Sequence, residues 1–382
     1  RPSAIRSTGR AGSRVQDLSR SGWVDSRSGP AVTRSISYGD AIREALDQSL
    51  EQRPEVYVMG LGVPDPKGIF GSTIGLQARH GLDRVFDVPL SENALTGFAL
   101  GSAITGMRPI LIHQRVDFTL TSFEQLVNQV AKWHFMFNGQ MAVPMVVRMV
   151  IGRGWGQGPQ HSQSLQALFA HVPGLKVIMP STPHDVKGML LAAVEDDNPV
   201  ICLEHRWLYD IRGHVPEIDY RVALDQARVV RPGVDITLIG VSYMTLECQA
   251  AAVLLDGVGI SAEVIDLRSI RPLDTETILG SVRRTGRCLT VDNAHLVGGV
   301  SAEISAVVAE YAFEQLQVPP QRLGFPDYPT PTSPALADGY YPRPHEIASK
   351  CAEMLGQSVV FEPPELGGRR LDQPNAAFQG PF

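Results

Sequence analysis

The chain is expected to fold as two doubly wound α/β domains, the second smaller than the first. Three observations predict this. From Ser37 onward, short Val/Ile/Leu-rich runs alternate with segments whose apolar residues recur at helical spacing. Runs such as PMVVRMVI and PVICLEH are almost continuously apolar, which is the pattern of parallel strands covered on both faces. The alternation stops at a connecting stretch over 211–221 and then restarts, and 382 residues exceed the roughly 100–200 of one domain.

The first domain spans 35–210. YGDAIREALDQSLEQR places Ala41, Ala45, Leu46 and Leu50 on one helical face, and EVYVMG is a short strand ending in glycine. A Pro/Gly loop, VPDPKGIFG, precedes a helix expected over Thr73–His80. The strand RVFDVPL then leads into ALTGFALGSAITG, a helix of small residues suited to close packing. RPILIH, PMVVRMVI, LKVIMP and PVICLEH supply further strands, with helices expected at SFEQLVNQVAKWHFMF and PHDVKGMLLAAVED. The second domain, 222–355, repeats the pattern with strands DITLIG, AEVIDL and RCLTVDN and helices around Leu246–Leu255, Asp274–Thr285 and Ser301–Ala312.

The ends differ in character. Residues 1–34 carry seven arginines against Asp17 and Asp25, with many serines and glycines, and read as a disordered tail that cannot bury enough apolar surface to offset its ordering entropy. Organelle transit peptides share that composition, so a matrix location stands as the alternative to a cytoplasmic one. Residues 356–382 are Pro/Gly-rich and aperiodic, as expected of a second tail. A net charge of −6 argues against a broadly basic surface for nucleic acid. Apolar runs are interrupted, as at Pro144 and Arg148, before reaching the roughly 20 residues a membrane span needs. Four scattered cysteines form no CxxC pair, so a reducing compartment is expected and neither zinc nor a disulfide framework is indicated.

The chemically ambiguous stretch is GRGWGQGPQHSQSLQALFAH, from Gly152 to His171. Its glycines suggest a phosphate cradle, but neither GxxxxGK[ST] nor GxGxxG fits, and a flexible loop is the plain alternative. Loops at the carboxyl ends of parallel strands are nonetheless where such sheets bind ligands. His161 precedes an expected helix, with Ser162 or Ser164 as its N-cap, and should face the loop. His171 ends that helix, where a histidine also interacts well with the terminal carbonyls. Glu92 falls in the first turn of the small-residue helix, a position the helix dipole favours in any protein. Asp196, Asp197 and Asn198 pass for a polar turn.

Together the segments IFGSTIGL, RVFDVPLSENALTGFALG, DFTLTSFEQLVNQVAKW, the run from Gly156 to Arg206, and VIDLRSIRPLD resemble the β subunit of the thiamine-diphosphate-dependent E1 component of 2-oxo-acid dehydrogenases. The resemblance covers about Ser35 to Leu355. It implies a transketolase-like pyrimidine-binding domain followed by a transketolase C-terminal-type domain, working with an α subunit in an α2β2 heterotetramer. That partner would supply the motif holding the diphosphate and Mg²⁺. Glu92 then corresponds to the glutamate that hydrogen-bonds N1′ of the aminopyrimidine, where burial against the cofactor ring is expected to favour the neutral acid over the carboxylate. Phe118 corresponds to the aromatic residue stacked on that ring, with Gln114 beside the cofactor, and His161 to the histidine facing the reacting carbon, supported by His171. Ala193, Asp196 and Asn198 correspond to a structural K⁺ site.

Two departures bear on substrate choice. The chain reads Gly60-Leu61-Gly62 where relatives carry a carboxylate, and Gln114-Arg115-Val116-Asp117 where many have Gln-Phe-Ala-Asp. Arg115, with Arg153 and Trp155 in the glycine loop, is a candidate for binding a carboxylate, phosphate or polyol; a structural partner for a carboxylate such as Asp117 is the equal alternative. The implied function is decarboxylation of a 2-oxo acid with acyl transfer to the lipoyl group of an E2 core. A carboligase passing the unit to an aldehyde or ketone, and a non-catalytic scaffold, are the competing expectations.

Overall fold

The computed structural model describes residues 34–154, 156–363, 373 and 378. The arginine-rich leader, most of the second tail and Trp155 therefore lie outside the described residues. Two main sheets carry the architecture, and both domains are α/β as expected.

The larger sheet has seven strands in the order Ser269–Arg271, Lys176–Ile178, Val200–His205, Val146–Ile151, Arg108–His113, Val56–Gly60 and Val85–Phe86. All pairings are parallel except that of Ser269–Arg271, which comes from the second domain and adds antiparallel to Lys176–Ile178. The central strands are buried along their full length, which is why their sequences do not alternate. Two long helices, Tyr38–Gln52 and Pro183–Glu195, pack against each other on one face. Each begins on a hydroxyl cap: Ser37 Oγ accepts from the Asp40 amide and Thr182 Oγ1 from the Asp185 amide, each at 3.0 Å. Residues 212–214, in the stretch read from sequence as a connection, pair antiparallel with Ser35–Ser37.

The second sheet has five strands in the order Gln321–Phe325, Cys288–His295, Ile236–Gly240, Ala262–Asp266 and Arg228–Arg231, with only the last pairing antiparallel. Besides lending a strand, this domain locks onto the first through polar contacts. Arg268 Nη1 lies 3.3 Å from Asp185, Arg271 Nη1 donates to the Ala170 carbonyl at 2.8 Å, and Ser181 Oγ donates to the buried Asp266 carboxylate. Burial, with the Asp185 charge adding to it, raises the Asp266 carboxyl to about 7, against the lowering effect of Ser181, Arg268 and Thr245.

Two expected helices differ. The segment around Phe123–Phe137 is not one continuous α-helix: Gln125–Val130 is π-helical, with Ala131 N bonded to Leu126 O at 3.0 Å, and a separate turn covers Trp133–Met136. In the turn that follows, Trp133 meets Phe137 at a tilt of 33°, with centroids 5.0 Å apart, while Phe135 and Met136 point outward. The helix expected from Thr73 begins only at Leu76, after a tight 3₁₀ turn at Ile69–Gly71.

Beneath the sheet's carboxyl ends lies a buried ion pair. Arg148 donates from Nε to Glu204 Oε1 at 2.6 Å and from Nη2 to Oε2 at 2.9 Å, with Ser72 Oγ 3.1 Å from Nη2 and the Tyr209 hydroxyl on Oε2.

Candidate active site

Three strand ends of the large sheet present the candidate residues, and each is shaped by its local sequence. Val56–Gly60 ends in the Leu61–Gly62 turn, which is held from two sides: Gln114 Nε2 donates to the Leu61 carbonyl at 2.9 Å, and the Gly62 amide donates to Asp87 Oδ1 at 2.8 Å. Gln114 is thus committed to the Leu61–Gly62 turn. Arg108–His113 runs into Gln114 and then the short helix Val116–Thr119, which carries Phe118. Val146–Ile151 runs into the glycine loop.

Glu92 is the first residue of the Glu92–Ile104 helix and is half-buried. Thr121 Oγ1 lies 3.4 Å from Glu92 Oε2 and donates to the Phe118 carbonyl at 2.8 Å, so one hydroxyl bridges the two elements. The Phe118 ring, 37% exposed, meets His161 edge-on, with centroids 5.2 Å apart and planes at 83°. Phe118 and His161 therefore meet, and Glu92 approaches the Phe118 segment at Thr121. His171 stands apart: it sits at the far end of the Gln166–Ala170 helix with its side chain exposed, and no hydrogen bond or ring contact joins it to His161 among the described residues. The expected serine cap is absent as well. Leu165 holds the N-cap position, while Ser162 Oγ and Ser164 Oγ are buried without a hydrogen-bond partner, because the chain from His161 to Leu165 is irregular and the helix starts later.

Neither arginine presents its charge at the surface. Arg115 is 3% exposed: Nη1 donates to the Gly152 carbonyl at 2.7 Å, and Nη2 donates to the Gln157 side chain. Asp117 does not ion-pair with it; its Oδ1 instead accepts from Gln163, at 3.3 Å from N and 2.9 Å from Nε2. Arg153 is 2% exposed, donating from Nε to the Gln157 carbonyl at 3.2 Å and from Nη2 to the Thr332 carbonyl at 2.8 Å. The expected substrate-facing cations are spent on holding the loop.

Two buried histidines lie close behind. Burial depresses His113 to about 4, and burial together with the Arg115 and Arg206 charges depresses His205 to about 3, so both are neutral at physiological pH. Sequence reasoning singled out neither of them, nor Thr121, Gln157 or Gln163. Of these, only Gln157 carried a visible signal, as a long polar side chain between glycines.

The region from 34 to 211 matches the family model for the transketolase pyrimidine binding domain, and 225–347 matches that for the transketolase C-terminal domain. The chain is 42% identical over 334 residues to the β subunit of acetoin:2,6-dichlorophenolindophenol oxidoreductase from Cupriavidus necator, covering 85% of this chain and 98% of that one. The chain belongs to the E1 β-subunit family of thiamine-diphosphate-dependent 2-oxo-acid dehydrogenases. Among other relatives are the 2-oxoisovalerate dehydrogenase β subunit of Bacillus subtilis, 38% identical over 84% of this chain and 98% of its own length, and the pyruvate dehydrogenase E1 β subunit of Porphyra purpurea, 38% identical over 84% and 97%. A solved split-gene transketolase, described as an inactive β4 tetramer, shares the fold with a TM-score of 0.68 at 22% identity, covering 85% of this chain and 99% of that one.

Against the chemistry of this E1 β family, the residues fit an aminopyrimidine: a half-buried carboxyl group, approached by Thr121 at 3.4 Å, opens the helix packed against the segment that carries the partly exposed Phe118 ring. The K⁺ position fits less well. Asp196 Oδ1 accepts from Asn198 N and Nδ2, both at 2.9 Å, and Oδ2 takes the Lys176 ammonium. Arg108 Nη1 occupies the carbonyls of Val194 and Asp196, at 2.9 and 3.0 Å. Side-chain cations already neutralise the turn that Ala193, Asp196 and Asn198 were expected to offer to K⁺. No helix among the described residues is long and apolar enough to cross a membrane.

Proposed function

We propose that this chain is the β half of an α2β2 E1 enzyme that decarboxylates a small 2-oxo acid and passes the acyl unit to a lipoyl group on an E2 core. The observation that supports the reading is the Phe118–His161 ring contact, with Glu92 approaching the same segment at Thr121. Thiamine diphosphate, when bound, supplies the carbanion that adds to the substrate carbonyl and accepts the electrons of the breaking C–C bond. Glu92 holds a proton at N1′ of the pyrimidine. Phe118 gives that ring a flat apolar support. His161 faces the reacting carbon, where an imidazole stabilises developing charge and carries a proton. The diphosphate and Mg²⁺ fall to the α subunit.

The open side of the site supports that partner. Phe98, 58% exposed, and Leu90 lie on and beside the Glu92 helix, and Leu120 lies on the turn packed against it; exposed side chains of this size around a reaction centre suit burial under a second subunit. The carboligase reading draws nothing from Arg115 and Arg153, which are buried, and stands as an outcome of the test below.

The test is reconstitution with the α-type subunit, thiamine diphosphate and Mg²⁺, following CO2 release from a panel of 2-oxo acids with lipoyl or aldehyde acceptors. Glu92→Gln is expected to abolish turnover while leaving the circular dichroism spectrum unchanged. An active Glu92→Gln holoenzyme, or normal decarboxylation by the β chain alone, refutes the assignment.

A further inference from the structure

The glycine loop is tied down by residues that belong to neither the cofactor chemistry nor the core. Its neck is closed by Gly152 N donating to the Gln163 carbonyl at 3.4 Å. Gln157 lies at its centre: the side-chain oxygen accepts from Arg115 Nη2 and from the Gly154 amide at 3.1 Å, while its own carbonyl accepts from Arg153 Nε. On the far side the loop rests on the second domain. Arg153 reaches the Thr332 carbonyl, and Gly158 lies so close to Thr332 that a Cβ there would come within 2.0 Å of its Oγ1. The Gly158 carbonyl then accepts from the His161 amide at 3.1 Å.

The clamps converge on one short element. Arg115 and Asp117 flank Val116 at the start of the helix that carries Phe118, and they grip the loop at Gly152 and Gln157 and at Gln163. The residue that presents Phe118 to His161 is thus braced by its own neighbours against the loop that presents His161 to Phe118. A loop with this many glycines loses much conformational entropy on ordering, so its one preferred shape must come from such contacts.

We propose that Gln157, gripped by Arg115, is a positioning residue that holds His161 at the reacting centre. This rests on the function assigned to His161 above. The guanidinium fork gives the Gly152 carbonyl and the Gln157 side chain a separate nitrogen each in a fixed planar geometry, whereas a lysine at position 115 would offer both a single ammonium on a flexible stem. Misplacement of a reacting group by about 1 Å can cost about a hundredfold in rate.

The experiment uses the reconstituted holoenzyme carrying Gln157→Ala, Gln157→Glu, Arg115→Lys or Glu92→Gln. Exchange of the cofactor C2 proton reports on Glu92, and acyl transfer to lipoamide reports on His161. Gln157→Ala and Arg115→Lys are expected to keep C2 exchange near the wild-type rate, lower kcat for acyl transfer by about 10–100-fold with little change in KM, and speed amide hydrogen exchange over 152–163. Gln157→Glu, which still accepts from both donors, is expected to restore kcat and amide protection. If Gln157→Ala transfers acyl groups at the wild-type kcat, or lowers kcat with amide protection unchanged, the positioning role is refuted. If Glu92→Gln leaves C2 exchange intact, it is the underlying functional reading that fails.

Discussion

Substituting Glu204 by Gln strands the Arg148 guanidinium in the core. Both residues are fully buried, and Glu204 supplies contacts of 2.6 and 2.9 Å to the cation. Burial alone would depress the Arg148 pKa, but the charge and hydrogen bonds of Glu204 hold it above the ordinary value. In Glu204→Gln the amide oxygen still accepts from one Arg148 donor, but the amide nitrogen faces the other, the compensating negative charge is gone, and the neutral Ser72 hydroxyl at 3.1 Å does not replace it. Breaking one side of a buried pair costs about 3–5 kcal/mol. At about 2–4 °C per kcal/mol for a domain of this size, the thermal midpoint should fall by roughly 6–20 °C. Arg148→Met should fall similarly, because the Glu204 carboxylate would keep only the Tyr209 hydroxyl and a weak contact from Cys202. The double variant Arg148→Met/Glu204→Leu should recover most of the loss, since replacing a whole buried pair by apolar side chains is often near neutral. Scanning calorimetry of the wild type, Arg148→Met, Glu204→Leu and the double variant reads the cycle, with Glu204→Gln measured beside it. A Glu204→Gln midpoint within about 2 °C of wild type, or a double variant as unstable as the sum of the singles, refutes the reasoning.

Two further outcomes are expected. The folded-state pKa of Asp266, about 7, lies above the ordinary 3.8, so between those values the folded chain holds a proton that the unfolded chain has released. That contribution to stability is complete below about 3.8 and is lost as pH rises towards 7, with a slope of at most about 1.4 kcal/mol per pH unit; Asp266→Asn should flatten the wild-type decline in thermal midpoint over that range. Gly152→Ala puts a Cβ 2.4 Å from His205 Nε2 at a residue with φ of +80°. Backbone strain of about 1–3 kcal/mol, added to displacement of the buried ring, should shift the loop and slow acyl transfer in the holoenzyme while cofactor binding, followed by fluorescence titration, is retained.

How much of this was legible in the sequence depended on the range of the interaction. The buried strands and long helices were readable because periodicity is a local record of burial, whereas the caps at Ser37 and Thr182, local as they are, were not assigned from the sequence. The edge strand Ser269–Arg271 was not, because its partner lies in the other domain. The π-helical turn at Gln125–Val130 escaped for a different reason: no Pro or Gly marks it. At the site, Glu92, Phe118 and His161 came from the resemblance, not from spacing. The fates of Arg115 and Arg153 could not be read at all, since a guanidinium facing a ligand and one facing a loop carbonyl look alike in sequence.

Arg115 also shows what a buried cation contributes at this position. A cation 3% exposed and bonded to a carbonyl and an amide, with no ion pair to Asp117, is held at a cost, and burial lowers its pKa to about 10. It remains charged at physiological pH, and the low local dielectric strengthens each hydrogen bond it donates. The neighbouring His205 stays neutral, so it adds no second charge, and its ring fills the space under Gly152. The desolvation cost is thus spent on fixing one segment of chain, the glycine loop. Arg115 thus acts on specificity only through the shape of that loop, and Arg115→Phe should loosen the loop without admitting a new class of anionic substrate.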